Sequence, residues 1–188
     1  MRIKDICDIN KANVDFDGET IVEYLDTGNL TEGVIGSLQQ VAYSKAPSRA
    51  QRKVQENTIL YSTVRPNLKH YGLLKCVKPT MVASTGFITL DVKESRKDEI
   101  DVEYLYYLIT QPWVTDYLHT IAENSVSAYP SISPNDLGNM DFYIPPFQIQ
   151  RRIAAILSNI DKKIALNRQI NRNLLAHSLR AEVVRRAA

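Results

Sequence analysis

Cysteine, histidine and glycine are scarce in this sequence, and each shortage excludes a kind of chemistry. Cys7 and Cys76 are alone and far apart, and His70, His119 and His177 are scattered, so no zinc-ligand spacing exists and no metal is expected. A reduced, cytoplasmic setting is the simplest one. The seven glycines are dispersed: there is no G-x-x-x-x-G-K-[ST] loop for ATP and no Gly-rich loop for S-adenosylmethionine. No apolar run approaches the ~20 residues that span a bilayer, so no membrane partner is expected. The first ten residues, MRIKDICDIN, carry acids and lack the apolar core of a signal peptide. Tyr143 to Phe147 imitates the Asn/Asp-Pro-Pro-Tyr/Phe motif of amino-methyltransferases, but Ile144 stands where a polar residue must accept the target amino group's hydrogen bond. The acids Asp98, Glu99 and Asp101 lack a nuclease's spaced carboxylate–lysine pattern and read as a solvated face. No catalysis and no cofactor are expected.

What is present is ordinary in amount and unusual in arrangement. Hydrophobic residues at 44% and charged residues at 23% fit a soluble globular chain, and 188 residues allow one domain plus an appendage. The net charge of +2 conceals segregation: residues 1–43 carry −5, 44–80 carry +7, 81–150 carry −7 and 151–188 carry +7. Segregated charge with a near-neutral total points to an oriented anionic partner.

Residues 1–19 lead in, with a turn at Asp15 to Gly18. Ile21–Leu25 is rich in β-formers and predicts a strand, followed by a turn over Asp26 to Leu30. A strand is expected over Thr58 to Val64, with Pro66 stopping it and Gly72 permitting a tight return. Further short strands are expected over Leu73–Val77, Met81–Thr85, Gly86–Leu90 and Asp141–Ile144. Asp101 can cap a helix through Val102–Ile109, and Pro112 can start a second carrying Trp113, Tyr117, Leu118 and Ile121, whose aromatics are expected in the core. A polar loop is expected over 124–130, then a short turn capped by Ser133. Clustered short strands followed by helices predict an α+β domain.

The richest stretch is 44–72. Lys45, Ser48, Arg49, Arg52 and Lys53 precede the strand, and Arg65, Asn67, Lys69, His70 and Tyr71 follow it. Arg pairs with guanine, Asn with adenine, and Lys and Tyr with phosphate, so this set suits double-stranded DNA. A solvated basic loop is the alternative.

From Pro145 onward about eight turns pass without an internal Gly or Pro. Apolar residues recur by threes and fours at Ile153, Ile156, Leu157, Ile160, Ile164, Ile170 and Leu174, with Asn167 in the seam, where an amide can fix register and partner. This spacing fits a long coiled-coil-like helix, and an amphipathic helix on its own core is the alternative.

Ile144-Pro145-Pro146-Phe147, Gln150-Arg151-Arg152-Ile153, Ile156-Leu157-Ser158 and Asp161-Lys162-Lys163-Ile164 resemble the segment that closes a target recognition domain in type I restriction–modification specificity subunits. The stretch from Ser48 to Asn67, the Thr27-Gly28-Asn29 turn and residues 127–137 resemble the same family. The resemblance implies a DNA target recognition domain over 1–144 and a spacer and dimerisation helix over 145–188, a half-length specificity subunit. It implies a modification methyltransferase subunit and a restriction/translocase subunit as partners. It also implies that Arg65, shared among domains reading different sequences, serves scaffold or phosphate, leaving bases to its neighbours. A homodimer through the helix is expected, since one end-mounted body cannot cover a stripe ~50 Å long at ~1.5 Å per residue. A helical adaptor without DNA binding and a truncated, inactive specificity subunit are the alternatives.

Overall fold

Two four-stranded sheets share one end in the computed structural model, which describes residues 1–124 and 130–187, with the side chains of the last helix described as far as Leu174. In chain order the strands are β1 Cys7–Ile9, β2 Ile21–Leu25, β3 Leu30–Thr31, β4 Val34–Ile35, β5 Gln39–Ala42, β6 Ala50–Lys53, β7 Ile59–Ser62, β8 Tyr71–Leu73, β9 Met81–Ser84 and β10 Phe87–Val92. The helices are α1 Ile3–Ile6, α2 Val102–Ile109, α3 Pro112–Glu123, α4 Pro134–Gly138 and α5 Phe147–Ala187. One sheet runs β1-β10-β7-β8, all antiparallel; the other runs β5-β2-β9-β6, with β2 and β9 parallel. The fold is α+β, as the residue pattern predicts.

Strand periodicity explains the layers. Ile59 and Tyr61 of β7 and Ile88 and Leu90 of β10 face a core shared with Leu105, Ile109, Val114 and Leu118 of the helices. The alternate residues Leu60 and Phe87 face Leu25 and Ala83 of the second sheet. The first sheet is thus buried on both faces, which is why Ile59, Leu60 and Tyr61 form a continuous apolar run.

The strands at Ile21–Leu25, 59–62, 81–84 and 87–92 and the two helices from Val102 and Pro112 lie where the residues predict them. Asp101 caps α2 by accepting from the Tyr104 N–H at 2.8 Å, and Ser133 caps α4. Other expectations are corrected. The lead-in is core, not periphery: Ile3 and Ile6 are buried and β1 forms an outer strand of the first sheet. Residues 74–77 leave the sheet after Leu73. Among the described residues Asp141–Ile144 makes one bridge, Arg2 to Asp141, beside α1, which begins at Ile3 and takes the partner segment out of extended form. Trp113 and Tyr117 are half-exposed, since Val114, Thr115, Leu118 and Ala122 fill the inward face of α3; Trp113 lies against Phe142, ring centroids 5.6 Å apart. The loop expected over 124–130 falls largely outside the described residues.

Gly72 serves packing, not the turn. It lies in β8, where an added Cβ would sit 2.8 Å from Leu30 Cδ1 and 3.2 Å from Gly33 Cα. The turn before it is made by Arg65 and Lys69, both left-handed at φ 48° and 56°.

Candidate nucleic-acid interface

The strand registers gather five loops at one end of the two sheets. β9 returns into β10 through Thr85-Gly86, with Ala50 opposite Ser84, Leu25 opposite Ala83 and Tyr24 opposite Gln39. In the first sheet Phe87 pairs with Ser62, and Tyr61 with Tyr71. The loops after β2, before β5, before β6, between β7 and β8 and between β9 and β10 therefore share this end.

Each loop is built to hold its shape. Asp26 Oδ1 accepts from the Thr27 N–H at 2.8 Å, while Asn29 Oδ1 accepts from the Asp26 N–H at 3.2 Å and Asn29 Nδ2 donates to Ser37 O at 3.1 Å. Gly28 is left exposed at the tip. Beside it, Gly86 approaches so closely that a Cβ would meet Thr27 Cγ2 at 3.0 Å. The parallel neighbours β2 and β9 thus each run into a Thr-Gly pair, Thr27-Gly28 and Thr85-Gly86. Thr63 Oγ1 donates to Gly86 O at 3.0 Å, and the Arg65 N–H donates to Pro130 O at 3.1 Å.

Four of the sequence-nominated residues, Ser48, Arg49, Arg65 and Asn67, are exposed on these loops. Arg49 borders a cavity of about 450 Å³ lined also by Asp26, Asn29, Ser37 and Gln39. Among the described residues neither Arg49 nor Arg65 makes an ion pair. Two unpaired guanidiniums beside open backbone turns can hold phosphate or reach a base edge.

The other nominated residues are differently employed. Tyr71 is buried, its ring between Tyr61 and Tyr106, which removes it from any surface. His70 Nδ1 donates to Leu30 O at 2.7 Å; a carbonyl only accepts, so the ring is fixed with Nδ1 protonated. Lys69 pairs with Glu32 at 3.0 Å, and the Glu32 and Gly33 N–H groups donate to Lys69 O and Tyr71 O. The second half of the loop is therefore a seat for the β3–β4 hairpin. Arg52 is half-buried, with Nη1 on Asn13 Oδ1 at 3.3 Å. Lys45, which follows β5, and Lys53, which ends β6, lie toward the opposite end of their sheet. Charge counting along the chain cannot separate the two ends of a sheet, so it pools these lysines with Arg49. Reasoning from the sequence did not nominate Thr85 and Gly86. The available signal was the recurrence of Thr-Gly after two apolar strands.

The last helix leaves the body with one face attached. Gln150, Ala154, Leu157, Ser158 and Asp161 follow helical steps along that face, and Gln150 and Ala154 are buried. The nominated stripe lies mostly beside it and stays open: Ile153, Ile156, Ile160, Ile164, Asn167, Ile170 and Leu174 are all exposed, Ile156 at 63% and Leu174 at 62%, with Leu157 at the border. The body does not absorb the stripe.

The sequence matches the family model of the type I restriction modification DNA specificity domain over residues 1–176. It is 27% identical over 160 residues to the Type I restriction enzyme HindI specificity subunit of Haemophilus influenzae, covering 85% of this chain and 34% of that protein. The fold resembles the HsdS subunit from Thermoanaerobacter tengcongensis (TM-score 0.76, 24% identity, 90% of this chain and 43% of that one). It also resembles a chain from a structure of type I R-M complex assembly and conformational transition (TM-score 0.70, 24% identity, with the same coverage). The chain spans about a third of that curated relative's length and under half of each solved one.

Proposed function

The chain belongs to the type I restriction modification DNA specificity domain family, and from that premise we propose that it recognises a DNA sequence for a modification and restriction complex without catalysing either reaction. Its body, residues 1–144, is the target recognition domain, and residues 145–188 are the spacer. The observation that carries the DNA surface is the shared loop end, where Arg49 and Arg65 stand unpaired beside Asn67, Ser48 and the two Thr-Gly turns. A methyltransferase subunit and a restriction/translocase subunit are the protein partners, by likeness to the named relatives.

The second copy of this chain is the partner we assign to α5. Its open stripe is a large exposed apolar surface on a helix. An antiparallel pair brings residues near Asn167 to the two-fold axis and puts the bodies at opposite ends, giving inverted half-sites around an unread gap.

Selection from random duplex DNA tests the reading directly. Wild-type protein should enrich two inverted words at one gap. Arg49→Glu with Arg65→Glu should abolish enrichment, whereas Lys45→Glu with Lys53→Glu should leave the words unchanged. No enriched word with folded wild type, or loss only in the lysine pair, refutes this interface.

A further inference from the structure

Gln150 is buried at 1% exposure, and the first turn of α5 is organised around it. Its Nε2 donates to Glu99 O at 2.7 Å and to Pro145 O at 2.8 Å, while its Oε1 accepts from the Asp101 N–H at 2.9 Å. All its partners are backbone groups. They belong to the segment that starts α2 and to the residues just ahead of α5. Asp101 in turn caps α2 through its carboxylate, so one amide side chain locks the starts of two helices together. A short-chain or apolar replacement leaves three half-buried backbone contacts, Glu99 O, Pro145 O and the Asp101 N–H, without their side-chain partner.

A pivot alone does not fix the direction of a rod. About three turns on, ~16 Å at ~1.5 Å per residue, the Tyr107 hydroxyl of α2 donates to Asp161 Oδ2 at 2.6 Å. Burial and the Asp161 carboxylate raise the Tyr107 pKa, so the phenol keeps the proton it donates. Between this strut and the β3–β4 hairpin a cavity of about 580 Å³ remains open, lined by Val34, Tyr106, Lys162, Ile164 and Arg168. Past Asp161, open space lies between α5 and the body beside Ile164 and Arg168, so these hydrogen bonds, with the buried Ala154 and the half-buried Leu157 and Ser158, carry the orientation.

We propose that Gln150 and the Tyr107–Asp161 hydrogen bond form a two-point mount that sets the direction of α5 from the body, and that these residues determine target spacing without touching DNA. The spacing role rests on the dimeric DNA-recognition reading above; the mount itself does not. The lever is long. From Gln150 to Asn167 is ~25 Å, so a swing of about 10° at the pivot moves the axis by ~4 Å and a symmetric partner body by ~9 Å, more than two base pairs at ~3.4 Å each.

Two measurements separate the mount from the DNA reading. Spin labels at the exposed native Cys76 and at Gln169→Cys, diluted with unlabelled protein so that only pairs within one chain are read, report the helix-to-body distance. Wild type should give one narrow distribution, and Gln150→Leu and Tyr107→Phe should each broaden or shift it. Tyr107→Phe removes one hydroxyl from a partly exposed contact, so it keeps the test usable if Gln150→Leu does not fold. An unchanged distribution in every folded variant overturns the mount. In the duplex selection both variants should keep the half-site words and gain roughly tenfold in targets whose gap differs by a base pair, the weight of about one hydrogen bond. Retention of a single gap by variants with broadened distances overturns the spacing role. A wild type that selects no word overturns the DNA reading and the spacing role with it, while the distance distributions still decide the mount.

Discussion

Arg65 combines an exposed guanidinium with a left-handed backbone at φ 48°, and the two features separate by mutation. Glycine tolerates that backbone at less cost than any residue with a Cβ. Arg65→Gly should therefore be about 1 kcal/mol more stable than Arg65→Ala in urea titrations, while both lose DNA affinity alike. If Arg65 touches phosphate, each variant also flattens the dependence of log affinity on log salt by about one unit. The cysteines differ as sharply. Burial, with a smaller contribution from the Asp91 charge, pushes the Cys7 thiol up to about 12, whereas Cys76 is exposed. A thiol reagent at pH 8 should modify Cys76 alone, and Cys7 only on unfolding. Glu23 carries a pH signature. A hydrogen bond from Lys78 at 2.7 Å, and a smaller one from Gln40, hold its carboxyl below the ordinary 4.5. A depressed folded value means the contribution is complete above pH 4.5 and is lost as pH falls through the lowered value. Lys78→Met should make acid unfolding between those limits shallower, as followed by circular dichroism against pH.

At the scale of elements, β8 shows how one small residue admits another layer. The β3–β4 hairpin reaches the sheet because Gly72 leaves room for Leu30, and Lys69, His70 and Tyr71 offer it an ion pair and three backbone carbonyl or ring contacts. Gly72→Ala should cost about 1–3 kcal/mol by overpacking, read as a lowered thermal midpoint. That site was legible only as a glycine following a basic loop, which predicts a turn. The contact that makes glycine necessary comes from a residue some forty positions earlier. The helices were more legible: Asp101, Pro112 and Ser133 act on their own neighbours within a turn, so their positions follow from local chemistry. Trp113 and Tyr117 were not, because helical spacing gives a face without saying which face a neighbour will fill.

For the whole molecule, the open stripe on α5 leads to an association prediction. Sedimentation at micromolar concentration should show a dimer for wild type and a monomer with a folded body for Ile160→Asp, since a carboxylate in an apolar seam is costly to bury. A wild-type monomer with and without DNA removes the two-fold arrangement. The acidic segment 81–150 and the basic segments 44–80 and 151–188 also acquire meaning at this scale. Lys75 pairs with Glu103 and Lys78 with Glu23, so part of the basic charge is spent inside the molecule.

Local causes suffice for the β2, β7, β9 and β10 strands, which follow runs of β-formers, for the capped helices, and for the long helix with its apolar spacing. The sequence also carried the family likeness, because that resides in contiguous motifs. Which cations share a surface depends instead on strand pairing between distant segments. Arg49 and Arg65 come together through the β9–β10 return and the Thr-Gly pair on β2, while Lys53, only a few residues from Arg49, is carried to the other end along one strand. A strand advances ~3.3 Å per residue, so sequence neighbours separate and distant loops meet wherever the register places them. Tyr71 was lost to the core because β8 pairs it with Tyr61 on the face that the helices cover, while Lys69, two residues earlier and outside the strand in a left-handed turn, stays exposed.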